Sequence, residues 1–190
     1  MTVSNIEVDF DSEATDAGAG SEITGDLDCV FNFSTVTQNF QLRFPLGVIT
    51  VGSAINDSTL QWNVLSESLE AGEGGGPNLY NGTGDDDPDA DDLITKYNRS
   101  NGTPLVTIDC SSTGSKTGDL GATADTAIAG NLSSPGFISF GVTPVGFENA
   151  EAFDIEAIEN AGSDPATLTV DWTPPAAGTV PQLATVGVGS

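Results

Sequence analysis

The sequence predicts an all-β fold, an antiparallel β-sandwich or jelly roll of about eight or nine strands joined by long loops. Three observations predict it. Apolar residues recur with period two in several segments, the spacing of a strand with one buried face. The 23 Gly and 10 Pro fall mostly between those segments, where turns are needed. No periodic helix stands between them, so the strands have only one another to pack against.

Taken in order, Ile6, Val8 and Phe10 alternate near the start. In LDCVFNF, Leu27, Cys29, Phe31 and Phe33 share one face, against Asp28, Val30 and Asn32. In VTQNFQLRF, Val36, Phe40, Leu42 and Phe44 point inward with Gln38, while Thr37, Asn39, Gln41 and Arg43 point outward. Leu60, Trp62 and Val64 mark another strand, as do Leu168, Val170 and Trp172. Residues 46–51 and 137–142 are short apolar runs, and LVTIDC (105–110) is rich in β-branched residues. ENAEAFDIEAIENA (148–161) has helical propensity, but Phe153, Ile155 and Ala157 alternate with Asp154 and Glu156. With the turn NAGSDPA behind it, that alternation predicts a hairpin with the strand TLTVDW. Residues 66–92 and 111–136 read as long loops, which in a compact domain carry function or meet a neighbour. With no repeat and no linker, residues 1–190 read as one domain.

Charge narrows the function. Four basic residues, Arg43, Lys96, Arg99 and Lys116, face 28 Asp plus Glu, a formal charge of −24. Such a surface repels itself unless molar salt shortens the Debye length to about 3 Å, so the composition points to a halophile. Disorder is disfavoured, because 37% of the residues are apolar and they alternate strictly. Scattered cations give no surface for nucleic acid or anionic lipid. The start, MTVSNIEVDFDSEATD, lacks a signal-peptide pattern, and no apolar run reaches membrane-spanning length, so synthesis in the cytoplasm is expected.

Histidine is absent, which removes Ser-His and Cys-His catalytic pairs and His-ligated zinc or copper centres. CSSTGSKTG (110–118) has Cys110 and Ser115 where a phosphate-binding loop needs glycines, so it reads as a flexible loop with a solvated Lys116. No carboxylate pair stands beside an aromatic-rich segment as glycosidase chemistry requires, and Tyr80 and Tyr97 are the loop tyrosines. The chain is therefore expected not to be an enzyme and to hold no organic cofactor. Cys29 and Cys110 are disulfide candidates; buried thiols, an internal bridge and a bridge to a neighbouring subunit all remain open. The Asn-x-Ser/Thr sequons at Asn32, Asn56, Asn81, Asn98, Asn101 and Asn131 are expected to stay unmodified in a chain that is not exported.

GDDDPDADD (84–92) is the densest acidic run and a candidate metal loop, with Asp85, Asp87, Asp89 and Asp91 as ligands. Neither EF-hand register closes. From Asp85, position 6 is Ala90 and position 12 is Lys96; from Asp87, position 12 is Asn98. Two readings stay open: a solvated acidic loop, or a loose site for calcium or other cations.

Length, composition and alternation over the whole chain (LDCVFNFSTVTQNFQLRF, FISFGV, ATLTVDWTP) resemble those of the smaller single jelly-roll major capsid proteins of haloarchaeal internal-membrane icosahedral viruses, the sphaerolipovirus type. The resemblance implies a single jelly roll of about eight strands. It also implies capsomers built with itself and a larger homologous partner, above an internal membrane that the chain does not enter. A virion protein needs no export signal, and loops such as 45–56 would be buried between subunits. No diagnostic motif carries site residues across. The alternative is a secreted or cell-surface halophilic β-sandwich adhesion module with a calcium loop; the sequons and acidity fit it and the missing signal does not.

Overall fold

A computed structural model describes residues 1–15, 27–32, 35–68, 74–79, 105–145, 151–156 and 164–176; at 10–15, 27–32, 35–39, 74–79, 143–145 and 151 only the backbone is described. Eleven strands and one helix lie among these residues. The strands are β1 (Thr2–Glu7), β2 (Phe10–Thr15), β3 (Leu27–Asn32), β4 (Thr35–Pro45), β5 (Ala54–Glu67), β6 (Gly74–Leu79), β7 (Ile108–Asp109), β8 (Gly114–Asp119), β9 (Phe137–Val145), β10 (Glu151–Ile155) and β11 (Thr167–Thr173). The helix, α1 (Gly121–Asn131), sits between β8 and β9. All the strand pairs are antiparallel.

The pairings define two layers. One runs β1-β11-β5-β8, with β11 and β8 on opposite edges of β5 because Thr59, Leu60 and Gln61 pair with both. The other runs β2-β4-β9-β6-β7. The chain crosses between them at residues 8 and 9: the Val8 N–H donates to Ala166 O and the Asp9 N–H to Arg43 O. At one end β10 pairs with both β3 and the last residues of β5, joining the layers into one continuous ladder.

Apolar residues at period two fill the space between the layers. Phe40, Leu42 and Phe44 from β4 meet Leu60, Trp62 and Val64 from β5, all buried. Phe40 lies edge-on to Trp62 at 6.2 Å and to Phe153 of β10 at 6.1 Å, and Trp62 stacks on Phe153. Each such aromatic pair adds roughly 0.5–1.5 kcal/mol beyond the area it buries. Leu168, Val170 and Trp172 complete the wall from β11.

Several sequence expectations are corrected. The eleven strands exceed the eight or nine expected, because the stretches taken for loops contain structure. Residues 111–136 hold β8 and α1. The helix was hidden in a narrow stripe of Leu120, Ala124, Ile128 and Leu132, spaced by four and all buried, within an Ala-, Gly- and Thr-rich segment whose Gly and Thr lower its helical propensity. It docks on β5 through Leu120 N–H to Ser58 O and through the Ser58 hydroxyl, which donates to Asp125 at 2.6 Å. Residues 66–92 contain β6, GGGPNL, which is a strand by virtue of pairing with β9 and not by its own propensity.

Residues 46–51 form turns and no strand, since Pro45 ends β4 and Gly52 takes φ +84°. Only Ile108 and Asp109 of the 105–110 run are in a strand. β10 is the strand the alternation predicts, but it forms no hairpin with β11. The two instead lie one after the other along the same edge of β5, β11 on residues 54–61 and β10 on 64–67. Gln41, expected outside, is fully buried.

Candidate interaction surface

β1 ends its layer, and among the described residues it pairs with β11 alone. Side chains lock it there from both faces. Trp172 Nε1 donates to Ser4 Oγ at 3.1 Å, and Thr169 Oγ1 donates to Asn5 Oδ1 at 3.0 Å. Ile6 and Val8 are buried while Val3 is 61% exposed. Residues 1–6 carry no charged side chain, so this strand edge lacks the charges and prolines that usually prevent edge-to-edge pairing.

The turn after β4 stands beside that edge. Leu46 N–H donates to Gly136 O at 2.8 Å, Ile49 N–H to Leu46 O at 2.9 Å, and the Ser53 hydroxyl to Thr50 O at 2.6 Å. Buried Leu46 and Ile49 anchor the turn and leave Val48 and Val51 outward, 62% and 58% exposed. Between turn and strand runs an open groove of about 490 Å³, lined by residues 5–9 with Pro45, Gly47 and Val48. Its charges are Glu7 and Asp9, and Asp9 accepts a 2.9 Å ion pair from Arg43 Nε. Residues 44–56 likewise carry no charged side chain.

A second feature lies on the outer face of β4 and β9. The register sets Arg43 opposite Ser139 and Gln41 opposite Gly141, so these residues share a face. The Arg43 guanidinium sits 5.6 Å from the Phe137 ring centre. Gln41 and Ser139 are buried, and both Gln41 amide atoms and the Ser139 hydroxyl lack hydrogen-bond partners among the described residues. Alternation alone assigns Gln41 to solvent; nothing in its neighbours signals burial.

The predicted site residues fall as follows. Asp85, Asp87, Asp89 and Asp91 lie outside the described residues, as do Tyr80 and Tyr97. Cys29 is on β3 opposite Phe153 of β10, and its side chain lies outside the description. Cys110 is fully buried, its thiol donating to Ile108 O at 3.3 Å. The 110–118 segment is no flexible loop: Gly114–Asp119 pairs with β5, and Lys116 Nζ donates to Ser112 at 2.6 Å. Asp109 accepts from both the hydroxyl and the N–H of Ser111, and these bonds hold its carboxyl below the usual carboxylate range. Of the sequons, Asn56 is exposed and bonds Asp171 and Thr173, whereas Asn131 is buried. Among the described residues no three His, Cys, Asp or Glu side chains come together as a metal site, and no helix is long and apolar enough to cross a membrane.

Neither protein-family models nor curated proteins give a match to this chain.

Proposed function

We propose that the chain is a structural capsid protein of a halophilic icosahedral virus, a single jelly roll that assembles with itself and a larger homologous partner into capsomers over an internal membrane. The observation that carries this reading is strand order. Leaving aside β2, β3 and β10, the two layers are β1-β11-β5-β8 and β4-β9-β6-β7. Along the chain the path runs from the first layer to the second and back, with each layer mixing early and late strands. That order supports the eight-stranded jelly roll, an architecture common in viral capsids and lectins. The charge of −24 supports a protein working in brine, and the uncharged edge and turn support burial between subunits.

The test is to purify the protein from its source, or co-express it with a partner, in about 3 M salt, and examine the product by sedimentation and electron microscopy. Recovery in icosahedral particles is the expected result. A monomer that never enters a particle and binds glycans when calcium is supplied would overturn the reading in favour of an adhesion module.

A further inference from the structure

Among the described residues the outer edge of β1 has no strand partner. β1 is six residues long, exposed at Thr2, Val3 and Asn5, and free of charge from Thr2 to Ile6. We propose that it pairs antiparallel with β1 of a second copy, across a two-fold axis centred on Ser4. This deepens the capsid reading and rests on it, by naming one contact through which copies meet.

Charge complementarity selects the occupant. A protein of charge −24 repels its own copies everywhere except where carboxylates are missing, and the edge and the neighbouring turn are such a place. In antiparallel pairs directly opposed residues point to the same face, so a two-fold must match residues of like parity. Centring on Ser4 sets Val3 against Asn5 of the second copy and Thr2 against Ile6 of the second copy. The uncharged stretch is then used whole. The two Glu7 carboxylates come to rest at opposite ends of the ladder, about 20 Å apart at about 3.3 Å per residue. That exceeds the Debye length of about 10 Å at 0.1 M salt, so they do not oppose the contact. Centring on Asn5 would shorten the separation to about 13 Å and set Glu7 against Val3. A ladder of this length buries less than a standard interface of about 1,600 Å², so the dimer forms in a concentration-dependent way.

Sedimentation of the full chain in molar KCl, over a concentration series to about 1 mM, reads the dimer. Ser4→Cys places two thiols across the axis with Cα atoms about 5 Å apart, inside disulfide reach. Val3→Cys places them about 8 Å apart, outside it. The expected result is a reducible dimer with Ser4→Cys under mild oxidation and none with Val3→Cys or the parent chain, whose own two cysteines serve as the control. A strictly monomeric chain, or equal cross-linking at both positions, overturns the proposal. Particle formation is scored on the Ser4→Cys chain co-expressed with the larger partner in about 3 M salt. Particles without the Ser4 cross-link remove this contact and leave the capsid reading; a cross-linked dimer that never forms particles does the reverse.

Discussion

Phe40→Ala tests the two-layer core from which the rest follows. Phe40 is fully buried on β4 and touches Trp62 from the facing layer and Phe153 from the strand that joins the two, both edge-on. Truncating a buried Phe costs about 3–5 kcal/mol, through lost transfer energy and the cavity left behind. Here two aromatic partners lose their edge contacts together, which places the loss near the upper end, about 4–5 kcal/mol. Against a typical total of about 5–15 kcal/mol, that removes a large share of the stability. With a urea m value of about 2 kcal/mol/M, the midpoint in molar KCl falls by about 2 M. Val51→Ala, on the exposed turn, shifts stability by under about 0.5 kcal/mol and serves as the control. A double-mutant cycle with Phe153→Ala returns a coupling of about 0.5–1.5 kcal/mol. A loss below about 1.5 kcal/mol for Phe40→Ala, with additive behaviour in the cycle, would refute the packing.

Gly118→Ala is expected to cost about 1–3 kcal/mol, because a Cβ there comes within 2.7 Å of Ile108 Cγ1 and 2.8 Å of its Cδ1. Urea melts of Gly118→Ala in an Ile108→Ala background, where both atoms are gone, show little further loss. Gln41→Met leaves stability unchanged or raises it by about 1 kcal/mol, since neither amide atom has a partner among the described residues; a loss above about 2 kcal/mol shows that the amide is satisfied. The Asp109 carboxyl has a folded value depressed by Ser111, so its contribution is full above the unfolded value of 3.8 and is lost as pH falls through the folded one. Ser111→Ala moves that titration upward, as followed by carboxyl carbon NMR; an unmoved titration rules out the hydroxyl as the leading cause. Lowering salt below about 1 M unfolds the protein or dissolves its assemblies, and unchanged circular dichroism and particle size at 0.1 M NaCl would show the charge argument to be mistaken.

What could be read from the sequence was whatever the side chains themselves encode. Period two located Phe40, Leu42 and Phe44, Leu60, Trp62 and Val64, Phe153 and Ile155, and Leu168, Val170 and Trp172, all buried. What could not be read depends on partners far along the chain. GGGPNL and GSKTGD have almost no strand propensity, and they become β6 and β8 because β9 and β5 offer them unpaired edges. The helix stripe was narrow enough to pass as Ala- and Thr-rich loop. β10 and β11 look like a hairpin from their spacing, yet the length of β5, at 14 residues, lets one strand seat both along its edge. The candidate surface was half legible. The uncharged runs 1–6 and 44–56 can be read off the sequence, but only the fold shows that one forms a strand edge unpaired among the described residues and the other an outward turn beside it.

The way this chain holds its acids ties its stability to the salt around it. Asp9 is ion-paired with Arg43. Several more take neutral donors: Asp125 from Ser58, Asp154 from Ser66, Glu156 from Asn63, Asp171 from Asn56, Asp109 from Ser111 and Asp119 from the Gly121 N–H. A hydroxyl or amide fixes the position of a carboxylate without cancelling its charge. The protein's field therefore stays negative, and its neutralisation is left to the cations of the medium. Removing salt strips that screen, and the mutual repulsion of the carboxylates then works against the apolar core that holds the layers together. Surface without carboxylates is where like-charged copies would repel one another least, and the uncharged edge of β1 and the Val48–Val51 turn are two such places side by side.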